Sequence, residues 1–360
     1  MRFKSEQVQS FAAEVLHALG TPGPISSRVA ASLVKTDQLG YDTHGVGLLP
    51  LYARMISSGA IHPSAFPVTE KITDSISRID GRLAYGQLTG HEATAVAIEN
   101  AASHGISVSG IYNGSHLGRL GEWAEQASSR GMVFFAFTNT SGGARNVAPF
   151  GGHDRKLSTN PIAFGIPTFS ALPFNIIVDF ATSQVSGSVI REHNRTGVPL
   201  NDEWTTTDSG EGLSDARSFM DGLGALLPLG GLVTGHKGYG LSIVAELLGG
   251  LAGGLVVGQG DPEWFSNAAL FMVIDPTRFL TIEQFEERIT AVSEHLRDDK
   301  VRLPGEGSYQ QQRESVARGI CIPQYVLASL ATLAGELGIE IPDFLSDHVT
   351  GEPDSEQKTW

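Results

Sequence analysis

Apolar residues recur at two different periods along this chain. Phe11, Val15, Leu16 and Leu19 share one helical face ahead of Gly20, which predicts an opening helix. A second helix is predicted from Ser26 and Ser27 through Val29, Leu33 and Val34, with Gly40 placed to end it as a left-handed cap. Asp42 or Thr43 can cap a third helix reaching about residue 58, which sets His44 in its first turn. There the helix dipole disfavours an imidazolium, and open N–H groups can meet an anion. From about Val68 the texture changes to short β-branched and aromatic runs. These predict strands at residues 106–108, 132–137, 162–166, 175–179 and 271–275, with helices at 92–104 and 120–129 among them. Residues 185–224 are polar and glycine-rich and read as loop. Helices follow at 240–251, 282–296 and 323–338.

Helical segments on both sides of the strands imply that the chain's two ends pack together. The predicted fold class is α/β: a discontinuous helical domain plus an inserted mixed-sheet α/β domain. Residues 1–70 with 280–345 form the helical part carrying His44, residues 71–279 form the inserted part, and residues 346–360 read as a disordered tail.

Composition narrows the function. With 41% hydrophobic and 18% charged residues the chain reads as an ordinary globular protein, and a net charge of −14 leaves no basic stripe for nucleic acid. The start, MRFKSEQVQSFAAEVL, lacks a long apolar core, and the most apolar stretch, 247–257, is too short to span a bilayer; the expected location is the cytoplasm, with no membrane partner. A single cysteine, Cys321, excludes an internal disulfide and any multi-cysteine metal site, and the histidines show no zinc-ligand spacing, so no metal is expected.

Two histidines carry the candidate chemistry. His44 lies in Gly40-Tyr41-Asp42-Thr43-His44-Gly45-Val46 and His116 in Asn113-Gly114-Ser115-His116-Leu117-Gly118-Arg119. Imidazole exchanges protons near neutral pH. A lysine in Gly235-His236-Lys237-Gly238-Tyr239-Gly240, just before a predicted helix, suits an anion, although an ordinary glycine turn reads equally well. Asp179 ends an apolar run and can either orient His44 or cap a turn. The glycines at 249, 250, 253 and 254 do not form a dinucleotide fingerprint; they end an apolar helix and read as close packing. Residues 230–237 fail as a phosphate loop, and Ser115 fails as a hydrolase nucleophile elbow.

These strings, in this order, resemble the type-2 malate/L-lactate dehydrogenase family of non-Rossmann, NAD(P)-dependent 2-oxo-acid reductases. The likeness runs over about residues 5–340. It includes Asp42 to Val46, Asn113 to Gly118, Pro149 to Gly152, Thr159-Asn160-Pro161, Asp179 to Ser183, His236 to Gly240 and Pro304-Gly305-Glu306. The resemblance implies that His44 donates the proton, with Thr43 beside it and Asp179 orienting it, and that His116 sits near the nicotinamide with a possible acid/base role. It assigns cofactor contacts to His116, Thr140, Asp179, Phe180, Ala181, His236, Lys237, Gly305 and Glu306. The implied cofactor is NAD or NADP, with NADH slightly favoured, in a homodimer. Many members carry arginine where this chain has Leu48. That departure looks closest to the hydroxycarboxylate dehydrogenase B subgroup and implies larger or aromatic 2-oxo acids. Arg119, Leu48, Tyr52 and Thr159 are the substrate candidates. Arg119 falls one turn beyond His116 if a helix begins near Ser115, although it can instead pair with Glu122 or Glu125. Alternatives are a dehydrogenase of small acids of the malate or lactate type, a reductase of cyclic imine carboxylates, and a dinucleotide-binding protein without turnover.

Overall fold

The computed structural model describes residues 2–260, 266–297, 301–340, 342 and 345; the tail predicted at 346–360 lies outside them. The chain opens with β1 (Arg2–Phe3), α1 (Ser5–Ala18), α2 (Gly23–Gln38) and, after a 3-10 turn at Val46–Leu48, α3 (Leu49–Ser57). Next come β2 (Val68–Lys71), β3 (Ile76–Asp80), α4 (Gly86–His104), β4 (Ile106–Gly114), α5 (Gly121–Ser128), β5 (Val133–Asn139), β6 (Ile162–Ile166) and β7 (Ile176–Phe180). An excursion holds α6 (Gly187–Thr196), β8 (Thr205–Thr206), α7 (Ala216–Met220) and β9 (Ala225–Leu226). Then follow α8 (Gly231–Gly250), β10 (Asn267–Ile274), α9 (Ile282–Arg297), α10 (Glu306–Arg318), β11 (Ile320–Cys321) and α11 (Gln324–Leu337).

Seven strands form one sheet in the order β2-β3-β4-β10-β5-β6-β7. Only β3 and β4 run parallel, joined through α4; the other pairs are antiparallel. This is a mixed sheet and not a doubly wound parallel one. β10 comes late in the chain yet lies between β4 and β5, so its Ala269, Phe271 and Val273 sit fully buried at the sheet's centre.

Three apolar clusters hold the molecule together. The helical one joins Phe11, Val15 and Leu16 of α1 and Val29 and Leu33 of α2 to Val326, Leu327 and Leu330 of α11. The two chain ends also meet as strands, with Phe3 opposite Ile320. The second cluster packs α4 and α5 on the sheet around Trp123, Phe134 and Phe271. The third lies under the excursion, where Ile190, Leu200, Phe219 and Leu226 meet Val147 and Leu157. Within 280–345, α10 packs on α2 and α11 on α1 and α3, whereas α9 lies against the β6–β7 connection: Phe285 meets the Phe169 ring at 6.0 Å and Glu286 accepts from Ser170.

Two predictions fail for physical reasons. Residues 185–224 are not loop throughout. Ser186 caps α6, Gly197 ends it at φ 70°, and Ile190 is the helix's one buried residue, so its sequence is too polar to stand out as a packed element. Likewise α8 begins at Gly231, not 240. Its glycines lower helix propensity, but they admit close neighbours: a side chain at Gly235 would press on Phe150 and one at Gly238 on the Leu229 backbone. Tertiary packing overrides propensity here. The predicted close packing at the helix's end does hold, since side chains at Gly249 and Gly254 would meet Asn139 and Ala268 of the sheet.

Candidate active site

His44 does not lie in the first turn of a helix. It sits in the turn before the 3-10 segment, and α3 begins five residues later at Leu49. A buried carboxylate shapes this turn instead of a helix dipole. Asp37, on the inner face of α2, accepts the Val46 N–H at 2.9 Å, and a Cβ on Gly45 would overlap its carboxylate. Glycine is required at 45 for that approach. Burial pushes the Asp37 carboxyl well above its usual range, and the Val46 N–H pulls the other way.

His116 follows β4 in an extended segment, not a helix, since α5 starts only at Gly121. The segment is pinned on several sides. Ser115 Oγ donates to Ala84 O (2.6 Å), the Leu117 N–H donates to Asn267 Oδ1 (3.0 Å), and the buried Trp123 indole donates to Leu117 O (3.2 Å). Gly86, at the start of α4, leaves room for the His116 carbonyl, which a side chain there would strike. Ser115 is therefore a buried structural hydroxyl.

These two segments bring the histidines together. Their rings stack at 5.8 Å between centroids with 18° between planes. Each Nδ1 meets a hydroxyl: Thr43 Oγ1 lies 2.9 Å from that of His44, and Tyr52 OH lies 3.3 Å from that of His116. Tyr52 is fully buried, and its oxygen also accepts from Gln87 Nε2 at 2.7 Å. That assignment turns the phenol hydrogen towards His116 Nδ1 and places the ring proton on Nε2. Burial lowers His44 to about 4, helped by the charges of Arg191 and Arg119. Burial lowers His116 to about 3, helped by His44 and Arg191. Both rings are neutral at pH 7, and the stack resists a second proton.

Arg119 forms the ion pair with Glu125 that its spacing allowed, and Asp179 caps a helix. Arg119 is buried and donates to Glu125 Oε1 at 2.6 Å, with its guanidinium 4.9 Å from the centre of the Tyr41 ring. Glu125 also binds Lys35 at 2.8 Å. Asp179 Oδ2 accepts the Gly121 N–H at 2.7 Å, capping α5, and feels the charge of Arg119. The capped helix is the earlier α5, not a turn that follows Asp179, and among the described residues no hydrogen bond joins His44 to Asp179. Leu48 is buried in the helical cluster, so it does not line an open pocket.

The residues assigned to a cofactor fall near β5–β7 and along α8. The N–H and hydroxyl of Thr182 both donate to Thr159 O, joining Thr159-Asn160-Pro161 to the run from Asp179 through Phe180 and Ala181. Gly305 lies against β7, where its Cβ would sit 2.6 Å from Asn175 O, and Glu306 accepts the Leu303 N–H at 3.1 Å. Thr140 is buried and donates to Gly143 O. His236 faces the Phe150 ring at 5.6 Å, and Lys237 is exposed on the body of α8, so the helix-start reading of that lysine fails.

Three residues near the histidines escape a reading of motifs: Asp37, Gln87 and Arg191. Asp37 was readable as an acid one turn beyond Leu33 on the buried face of α2. Arg191 was readable once Ser186 and Gly197 are taken as the two ends of a helix. Gln87 carries no sequence signal.

A half-buried, stacked pair of imidazoles therefore sits on a mixed, non-Rossmann α/β scaffold. The chain belongs to the malate/L-lactate dehydrogenase family, whose model matches residues 3–331. It is 31% identical to hydroxycarboxylate dehydrogenase B of Escherichia coli (strain K12), over 94% of this chain and 95% of that protein. The structure of malate dehydrogenase from Pyrococcus horikoshii OT3 superposes with a TM-score of 0.82 at 31% identity, covering 94% of this chain and 96% of that one. Delta1-piperideine-2-carboxylate reductase from Pseudomonas syringae gives 0.82 at 28% identity, covering 93% and 100%. Family membership makes this chain an oxidoreductase of the nicotinamide-dependent kind.

Proposed function

We propose that this chain reduces 2-oxo acids to 2-hydroxy acids, reversibly, with NADH or NADPH as reductant, and favours larger or aromatic monocarboxylic acids. The observation that carries this reading is the stacked His44–His116 pair with a hydroxyl behind each Nδ1. It leaves Nε2 of His44 for the substrate oxygen. Neutral His44 accepts the hydroxyl proton when a hydroxy acid is oxidised. In the reductive direction, the incoming carboxylate raises the imidazole pKa, so substrate binding recruits the proton that His44 then donates. Such proton transfer contributes about 10²–10⁴ in rate.

The residues around β5–β7 fit a nicotinamide dinucleotide. Arg119 Nε and Nη1, Thr138 Oγ1 and Asn160 Oδ1 are buried without hydrogen-bond partners, offering donors and acceptors of the kind an amide or ribose recruits. His116, Thr140, Asp179, Phe180, Ala181, His236, Lys237, Gly305 and Glu306 would hold it. When bound, the nicotinamide exchanges a hydride with the substrate carbon. A homodimer suits the exposed apolar residues of α8 and its end: Leu232, Val233, Leu247 and Leu251 are each at least 60% exposed.

Two measurements test the reading. Replacing His44 with Ala or Asn lowers kcat by about two to four decades with little change in cofactor affinity by fluorescence titration; near-normal kcat would remove His44 from the mechanism. A panel of 2-oxo acids and cyclic imines, each with both reduced cofactors, then sets the substrate class. Phenylpyruvate-like acids should exceed oxaloacetate. The reverse order favours a malate-type enzyme, faster imine turnover favours the cyclic-imine reading, and no turnover at all favours a dinucleotide-binding protein.

A further inference from the structure

A 2-oxo acid brings a carboxylate, and a partly desolvated carboxylate requires a cationic or N–H partner. The residues nearest the histidines do not offer an open one. Leu48 is apolar and buried in the helical core. Arg119 is balanced by Glu125 and lies beside Asp179, two carboxylates around one guanidinium.

Arg191 differs on each count. It is half-buried on α6, and its one hydrogen bond runs from Nη2 to Ser188 Oγ at 2.8 Å; among the described residues it has no ion pair. Its head folds back to the start of α6, where a Cβ on Gly187 would lie 3.6 Å from Nη1 and 3.8 Å from Nδ2 of Asn146. Two contacts fix the helix in place. Ile190 enters the apolar cluster beneath it, and Arg195, one turn after Arg191, rests 5.5 Å from the centre of the Tyr325 ring in α11. That brace holds α6 against α11, whose Val326 lies 3.4 Å from where a Cβ on Gly47 would sit, three residues beyond His44, so α6 borders the histidine turn. Both His44 and His116 respond to its charge, and Arg195 and Arg54 add further positive charge around it. A half-buried cation without a counter-ion, beside two neutral imidazoles, is the arrangement an anionic substrate completes.

We propose that Arg191, presented by α6, is the cation that holds the substrate carboxylate beside His44 and His116. This rests on the reading of the site as a 2-oxo-acid reductase and names the residue that recognises the acid.

The test compares Arg191→Gln and Arg191→Lys with the wild-type chain, using phenylpyruvate and pyruvate as substrates and NADH and NADPH as cofactors. Arg191→Gln should raise KM for both acids about 10–100-fold, as expected for loss of a charged hydrogen bond, with cofactor KM within about twofold. Arg191→Lys keeps the charge but not the planar fork, and should fall between. A second readout is pH. His44 is faced by Arg191, Arg119 and His116, with Asp37 behind its turn and Asp42 two residues before it. The base form exists above the folded pKa. Removing a cation raises that pKa, so the acid limb of kcat/KM for hydroxy-acid oxidation should move to higher pH in Arg191→Gln. An unchanged KM for the acids overturns the proposal, as does a rise confined to the cofactor, which would make Arg191 a phosphate ligand. If wild-type turnover is robust while Arg191→Gln is indifferent, only the anchor fails; a wild-type chain inert towards every 2-oxo acid removes the reductase reading and the anchor with it.

Discussion

The segment around Arg119 and the helix around Arg191 each carry a guanidinium whose charge bears on His44, in opposite electrostatic conditions. Arg119 closes a network of Lys35, Glu125 and Asp179 in which every charge has an opposite neighbour. Burial alone works against the Glu125 charge, yet Arg119 and Lys35 hold its carboxyl below the usual range. Arg191 has only a serine hydroxyl, and burial pulls its own pKa down. A charge already balanced holds architecture; a charge left open is available to a ligand. The same contrast separates the two ends of the site. Around the histidines Thr43, Tyr52 and Gln87 pin the polar atoms, whereas the α6 and α8 side leaves Arg191, His236 and Lys237 at least partly open.

The contrast can be broken by substitution. Arg119→Leu should give the largest effect, and on stability: it leaves Glu125 with Lys35 alone and Asp179 with no cation beside it, at a cost of about 3 kcal/mol read from the urea midpoint. A variant as stable as wild type with a raised acid KM would reverse the roles assigned to the two arginines. Tyr52→Phe should act next and more gently. It removes the hydroxyl between Gln87 and His116, and kcat should fall roughly fivefold, the value of one hydrogen bond of about 1 kcal/mol, with substrate KM held. An unaltered kcat would show that His116 does not depend on that partner. Lys237→Ala should be smallest. An exposed lysine on a helix body exchanges little energy with an anion, so cofactor KM should rise no more than about fivefold. A shift of tens-fold would restore a strong phosphate contact at that position.

What the sequence carries follows from which forces are local. Gly40 at φ 86° and the helices before it are local events, and both are legible. The two histidine motifs are legible as chemistry, and the structure stacks them. Their helical settings are not legible, because the buried Asp37 carboxyl shapes the His44 turn and Ala84 and Asn267, distant in sequence, hold the His116 segment extended. The same holds for α8, whose glycines read as a turn until Phe150 and Leu229 are seen against them. Arg119 shows the limit most clearly. Its spacing from His116 suggests a helix face, and its spacing from Glu125 an ion pair; the pair forms, and the charge of Asp179, sixty residues on, carries no local signal.

The place of β10 carries a consequence for how the chain folds. Strands β4 and β5 are adjacent in sequence yet leave a gap that only residues 267–274 fill. Until that segment leaves the ribosome, both strands present unpaired edges of largely apolar sequence. The helical core waits longer still, for β11 and α11 to close on β1 and α1. Folding is therefore governed by contacts of long sequence separation, which are slow to form and expose strand edges to other chains in the meantime. The histidine pair, set where the two cores meet, is completed only after β10 and α11 have been made.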